Sequence, residues 1–287
     1  MSALTHDIST WPVRLGVKPG DTIQLMADLT RVAWNARRGG GHFKASDLLN
    51  AFADAVGPSG DVLVPTFNFD LRDGEAFDMK RTRSISGALA NAALDHERFQ
   101  RTPHALHSFA VVGAHARQLV TSKERGSFGP HSPFAFLFDR KGILIAIDLP
   151  LNDAFTFVHF TEERIGVPYR RFWRRYIRFT GMDGTLSKRP FEIYAKRAGH
   201  HIELSALEPL LEQAGALTRG ELDGSRFLRV DLSKAHEVIA HDITANKARS
   251  IHQFRWSWWL RDHAKDVLRT FGIRTRQERT AHAARTA

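Results

Sequence analysis

Two histidine-bearing segments hold the residue types and spacings best suited to chemistry. In Asp153-Ala-Phe-Thr-Phe-Val-His-Phe-Thr-Glu-Glu163, Thr156, His159 and Glu162 recur every third residue, so on a helix a hydroxyl, an imidazole and a carboxylate share one face. A carboxylate beside a histidine fixes the imidazole tautomer and stabilises the imidazolium, which suits a general base and its orienting partner. An ordinary ion pair on a helix surface has the same spacing. A metal site is the other alternative, but neither H-x-x-x-H nor H-E-x-x-H occurs, so no metal is expected. The second segment, Arg101-Thr-Pro-His-Ala-Leu-His-Ser108, sets His104 and His107 directly before the apolar run Phe109-Ala-Val-Val-Gly113.

Positioning such groups requires a core, and 287 residues that are 43% hydrophobic supply one, which excludes general disorder. The absence of Cys excludes a disulfide scaffold, a thiolate nucleophile and Cys-ligated metal. No P-loop, no G-x-G-x-x-G after a strand and no G-x-S-x-G elbow occurs. Gly39-Gly40-Gly41 reads as a flexible turn rather than a phosphate loop. The longest apolar stretch, residues 142–151, is broken by Asp148, and the first residues lack a signal pattern, so a cytoplasmic protein is expected. The net charge of +10 is concentrated: residues 164–189 hold eight Lys/Arg and one acid, and residues 247–287 hold ten and three. Those two segments also carry Trp173, Trp256, Trp258 and Trp259.

The elements read as α/β. Residues 21–29 form an apolar strand after the turn Lys18-Pro-Gly-Asp21. Leu48, Leu49, Phe52 and Val56 have helical spacing, with Ser46 as N-cap and Gly57-Pro58 as a stop. A second strand at residues 61–67 completes a strand-helix-strand unit, which implies a right-handed crossover and a parallel pair. Residues 86–94 and 113–120 read as helices, and residues 141–149 as a strand buried on both faces. The expected architecture is a mixed, mostly parallel central sheet flanked by helices, one domain over residues 1–250 with a basic, Trp-rich extension over 251–287. The helix bearing His159 follows the carboxyl end of a strand, where open α/β sheets place their sites.

Taken in order, LGVKPGDTIQL, GDVLVPTFNF, SGALANAAL, RTPHALHSFAVVGAHA, FGPHSPFAFL, GILIAIDLP and FTFVHFTEE resemble the aminoglycoside 3-N-acetyltransferase (antibiotic N-acetyltransferase) family from about residue 13 to residue 248. The R-[ST]-x-H-x-x-H-S and T-x-x-H-x-x-E patterns carry most of the likeness. The resemblance implies an α/β fold that binds acetyl-coenzyme A and moves its acetyl group to an amine of an amino sugar, the aminoglycoside antibiotics being the acceptor class, with no covalent enzyme intermediate. It makes His159 the general base, Glu162 the group that orients it or holds the ammonium, and Thr156 a neighbour of the tetrahedral centre. It sets Asp28, Leu29, Arg101, Thr102, His104, His107, Ser108 and Phe109 along the coenzyme and active-site cleft. Met26-Ala-Asp-Leu29 stands where the family usually has His-Ser-Ser-Leu, and Ala105 where it has Pro.

A polycationic acceptor calls for carboxylates, and Asp70 and Asp78, with Asp73 and Glu75 between them, are the expected substrate contacts. The run VPYRRFWRRYIRF would instead attract an amino sugar linked to a nucleotide or lipid diphosphate, as in surface polysaccharide synthesis. As a plain structural feature that run is a solvated helix face or an oligomer contact, the latter a homodimer interface. A non-catalytic polyanion-binding descendant is the further alternative; nucleic acid is not favoured. The tail around Trp256, Trp258 and Trp259 has the composition of an interfacial helix, which gives peripheral association with the inner membrane surface as one expectation and packing on the protein's own surface as the other.

Overall fold

The structure, a computed structural model, describes residues 7–270, with side chains through residue 264. A short helix, α1 (Trp11–Arg14), precedes the turn into β1 (Thr22–Ala27). A helix not foreseen in the sequence, α2 (Leu29–Arg38), follows at once, because Asp28 caps it by accepting the Thr30 N–H at 2.9 Å. Next comes α3 (Ala45–Val56), whose N-cap is Lys44 and not Ser46: Asp47 N–H already bonds Lys44 O at 3.0 Å, so the first turn begins earlier. It stops at Gly57, whose φ of +65° a side chain rarely adopts.

The chain returns as β2 (Asp61–Pro65), parallel to β1 with Ile23 opposite Val62. Beyond it lie β3 (Ala76–Asp78), α4 (Ala88–Asp95), β4 (Gln100–Arg101) and β5 (Phe109–Gly113), the last antiparallel to β2. Two short helices, α5 (Ala116–Val120) and α6 (Pro133–Asp139), lead to β6 (Ile143–Ile147), parallel to β1 on its other side. After α7 (Leu151–Ala154) and α8 (Val158–Ile165) comes a long hairpin, β7 (Arg170–Thr180) and β8 (Leu186–Lys196). The remaining elements are β9 (His200–Ile202), α9 (Glu208–Gln213), β10 (Leu217–Leu222), β11 (Ser225–Asp231), α10 (Leu232–Asn246), β12 (His252–Phe254) and α11 (Trp256–Thr270).

The main sheet runs β10-β11-β6-β1-β2-β5-β4, with β6, β1 and β2 parallel and the outer strands antiparallel. Its period of two sorts side chains into two cores. Ile143, Ile145 and Ile147 join Ile23, Leu25, Val62 and Val64 on one face, while Leu144 and Ala146 join Leu63, Phe109 and Val230 on the other. That double burial is why residues 143–147 are continuously apolar. The connection leaving β1 runs to β2 on one side, and the chain later comes back to β6 on the other. The carboxyl ends of β1 and β6 therefore flank a topological switch point.

The Arg-rich run is a strand, so a solvated helix face, one of the two plain structural readings of it, does not apply. In β7, Ile177 and Phe179 are buried and pack with Phe77 and Phe191 in a third core, so the governing period is two. The start of the C-terminal extension adds to the body: Ile251 is buried and β12 pairs antiparallel with β9.

Candidate active site

The chain leaves β6, forms α7 and turns through Thr156, whose carbonyl accepts the His159 N–H at 3.0 Å. Only His159 and Glu162 lie on α8; Thr156 precedes it. The i,i+3 spacing brings His159 Nδ1 to 2.7 Å from Glu162 Oε2. Glu162 is fully buried, whereas the His159 side chain keeps 23% exposure. Tyr169 donates its hydroxyl hydrogen to Glu162 Oε1 at 2.8 Å, and Arg170 Nε stands 2.6 Å from Oε2. Arg170 Nη1 is anchored on Tyr194 O at 2.7 Å, and Nη2 lies 2.8 Å from His159 Nδ1 and 3.3 Å from Nε2.

Nδ1 therefore meets two partners, the Glu162 carboxylate, which only accepts, and the Arg170 guanidinium, which only donates. With the shorter contact, to Glu162, taken as the hydrogen bond, Nδ1 carries the hydrogen and the lone pair belongs to Nε2. Burial, and after it the Arg170 cation, push the imidazole below its ordinary pKa against the pull of Glu162. Burial alone would raise the Glu162 carboxyl, but Arg170, His159 and Tyr169 together hold it below its ordinary value. The pair is thus a neutral imidazole backed by a carboxylate, which can accept one proton and stabilise the result.

The second histidine segment builds the wall beside it. His104 Nδ1 accepts the N–H groups of Leu106 and His107 at 3.2 and 3.0 Å, and Nε2–H meets Arg125 O at 3.1 Å. Both nitrogens are used within the fold, and burial pushes this imidazole down to about 4. His107 differs. Ser127 Oγ–H donates to Glu192 O at 2.9 Å, so Ser127 Oγ must accept from His107 Nδ1 at 2.8 Å, leaving the lone pair on Nε2. Phe69 stacks on His107, and Phe128 contacts both His107 and His159, with ring centroids 5.5 and 5.9 Å away.

Arg101, Thr102, Ser108 and Phe109 are buried supports. Arg101 donates to Ser108 Oγ, Thr82 O and Thr66 O, and Thr102 Oγ1 accepts the Phe109 N–H at 2.9 Å. Burial draws the Arg101 guanidinium down to about 9, so it stays charged at neutral pH. Asp28 and Leu29 lie elsewhere, at the switch point. Asp28 lines a cavity of about 1040 Å³ with Arg31, Trp34, Arg37, Asp148 and Arg226, while Leu29 packs toward the core. Asp148 has φ +52°, and its buried Oδ2 has no hydrogen-bond partner.

Asp78 and Asp73 are spent on backbone N–H groups of their own loop and of β7. Asp78 Oδ1 accepts the Lys80 and Arg81 N–H groups at 2.8 and 3.1 Å, and Asp73 Oδ1 accepts the Tyr176 N–H at 2.6 Å. Asp70 is half-buried beside exposed Phe69. A carboxylate group not foreseen is Glu163 with Glu124 and Glu192. Burial, then the charges of Glu124 and Glu192, lift the Glu163 carboxyl to about 7. The sequence shows Glu163 beside Glu162, but Glu124 and Glu192 come from a distant loop and from β8, joined through Ser127 N–H to Glu192 O at 2.9 Å.

A family model for aminoglycoside 3-N-acetyltransferase matches residues 34–243. The chain belongs to that family. It is accordingly an acyltransferase with an amino-group acceptor. Solved structures share its fold. The aminoglycoside acetyltransferase AAC(3)-Xa is 22% identical at TM-score 0.69, covering 82% of this chain and 90% of that one. AAC-IIIb, solved as a binary complex with CoASH, is 21% identical at TM-score 0.69, covering 83% and 95%. YokD from Bacillus subtilis is 17% identical at TM-score 0.66, covering 83% and 98%. Among the described residues of this family member, no group of three or more His, Asp or Glu is arranged to hold a metal ion, and no helix is long and apolar enough to cross a membrane.

Proposed function

We propose that this protein transfers an acetyl group from acetyl-CoA to an amine of an amino sugar of the aminoglycoside class, with His159 Nε2 as general base. The observation that carries this is the contact of His159 Nδ1 with fully buried Glu162, which leaves Nε2 as the basic atom. An alkylamine is mostly protonated at neutral pH and attacks only after losing a proton. The ammonium's first proton leaves to water; as the neutral amine's nitrogen bonds to the thioester carbonyl carbon, His159 Nε2 accepts the second. The carbon–sulfur bond then breaks, and the proton passes to the departing thiolate. Acetyl goes directly from donor to acceptor.

Glu162 orients His159 and stabilises its imidazolium; with both oxygens engaged inside the fold, it is not the ammonium contact. Glu163 takes that part, and Thr156, half-buried just before α8, stands at the tetrahedral centre. The coenzyme's charged end is assigned to the crevice between β1 and β6. Arg31, Arg37 and Arg226 supply cations there and Trp34 a stacking face, against the carboxylates of Asp28 and Asp148. His104, Arg101, Thr102, Ser108 and Phe109 hold the wall that carries His107.

The test is to mix the protein with acetyl-CoA and sisomicin, which is bound in a solved AAC-VIa structure of similar fold, and to follow thiol release. Release that needs both substrates supports the proposal. Absence of coenzyme A binding by calorimetry contradicts it.

A further inference from the structure

The two oxygens of Glu162 are held by different parts of the chain. Oε2 meets His159 and Arg170, whereas among the described residues the hydrogen bond to Oε1 comes from the Tyr169 hydroxyl at 2.8 Å. Burial, and after it the Glu162 charge, push this phenol up, so the hydroxyl keeps its proton and donates. Such a bond weakens steeply off its geometry. A turn about the Cα–Cβ bond of Tyr169 would carry the hydroxyl off Oε1, so the ring itself must be held.

What lies flat on that ring is His252. The Tyr169 and His252 centroids are 3.8 Å apart with planes 12° from parallel, and His200 stands 5.3 Å from His252. His252 belongs to β12, beyond α10 and distant in sequence from every other group of the site.

The segment between α10 and β12 is built to aim this imidazole. Lys247 and Ala248 take left-handed φ values of +55° and +57°, which side-chain-bearing residues adopt at a cost. Buried Asp242 holds the reversal: Oδ1 accepts from Asn246 Nδ2 at 2.7 Å, Oδ2 accepts the Ser250 N–H at 3.2 Å, and its carbonyl accepts the Ala248 N–H at 2.9 Å. The Ala248 carbonyl in turn accepts the His252 N–H at 3.1 Å and lies 3.2 Å from His252 Nδ1. A carbonyl only accepts, so Nδ1 carries the hydrogen. Across the β9–β12 ladder His252 pairs with Ile202. The frame is also tied to the helix that bears Glu162, since Thr161 Oγ1 on α8 and His236 Nδ1 on α10 are 2.8 Å apart.

We propose that His252 is a positioning residue of the transferase site: its ring face holds the Tyr169 hydroxyl on Glu162, and through Glu162 it sets the orientation of His159. The assignment rests on the acetyl-transfer reading above and extends its site into the segment after α10. The Nδ1 hydrogen of His252 is committed to Ala248 O and its contact with Tyr169 is face to face, so it acts by contact and not by proton transfer.

The experiment is a double-mutant cycle of His252→Ala and Tyr169→Phe, with His252→Phe alongside, assayed for acetyl transfer to sisomicin and unfolded in urea. In His252→Ala, kcat is expected to fall about three- to tenfold with both KM values unchanged. His252→Phe restores a flat ring at a half-buried position and should recover most of that loss. With Tyr169 already Phe, adding His252→Ala should lower kcat by less than about twofold, because the hydroxyl that it steers is gone. In urea, the midpoint shift caused by Tyr169→Phe should fall to about half or less once His252 is Ala. Wild-type kcat in His252→Ala, or an equal loss of kcat in both backgrounds, overturns the proposal. Additive midpoint shifts also overturn it, since ring packing that does not involve the hydroxyl gives them. If the alanine variant does not fold, His252→Leu, which keeps bulk without a flat ring, is read by the same criteria. Absence of transfer by the wild type counts against the transferase reading, and the urea cycle still decides whether His252 holds Tyr169 on Glu162.

Discussion

Arg170 Nε lies 2.6 Å from Glu162 Oε2, the same oxygen that meets His159 Nδ1, and both side chains are buried. One cation therefore does two things. It keeps Glu162 ionised, and it helps to keep His159 neutral until a proton arrives from the substrate.

Replacing Glu162 by Gln keeps the shape and removes the charge. The imidazolium then loses its counter-charge, and the buried Arg170 loses its ion partner. Turnover is expected to fall by about 10²- to 10⁴-fold, with stability lower by about 3–5 kcal/mol. The KM for acetyl-CoA should hold steady. Steady-state kinetics with urea unfolding check this, and unchanged turnover contradicts it.

Tyr169→Phe is milder. It leaves the ring on His252 but strips Glu162 Oε1 of its donor, a loss of about 1–3 kcal/mol for a buried acceptor. The urea midpoint should drop accordingly, with turnover reduced less than in Glu162→Gln.

His104 makes stability depend on pH. Its folded-state pKa is about 4 against about 6.5 unfolded, so the unfolded chain binds the proton more readily. The contribution is complete above pH 6.5 and is lost as pH falls through 4; for this buried group it amounts to about 3 kcal/mol. Glu163, raised to about 7, works in the opposite sense between its unfolded value and 7, but it is partly exposed and weaker. Asn at position 104 can still accept the Leu106 and His107 N–H groups without titrating. Urea unfolding at pH 7 and pH 5 should therefore show a smaller difference for His104→Asn than for the wild type.

Glu163 gives acceptor binding its own pH dependence. As pH rises through about 7 the carboxylate forms beside Glu124 and Glu192, and the KM for a cationic acceptor should fall between pH 6 and 8. In Glu163→Gln that trend should flatten, with KM for acetyl-CoA unaltered. A wild-type KM that does not vary with pH contradicts the assignment.

The sequence revealed the central strands because apolar alternation and burial on both faces leave a local signature: residues 61–65 and 143–147 emerge where expected. The Thr156, His159 and Glu162 spacing likewise anticipated the Glu162 contact. What it did not reveal is non-local. Arg170 belongs to a run that read equally as a solvated helix face or an oligomer contact, whereas its neighbours Ile177 and Phe179 bury on a strand. Asp28 belongs to the segment that departs from the family's His-Ser-Ser-Leu, and it caps a helix that the apolar pattern did not show. Glu124 and Glu192 are 68 residues apart and meet Glu163 only in the fold.

The most direct test of the account is His159→Gln, assayed for acetyl transfer from acetyl-CoA to sisomicin alongside calorimetric titration with coenzyme A. The account predicts a loss of turnover of about 10²- to 10⁴-fold with coenzyme affinity unchanged. Turnover equal to the wild type would remove His159 as the base and with it the proposed mechanism.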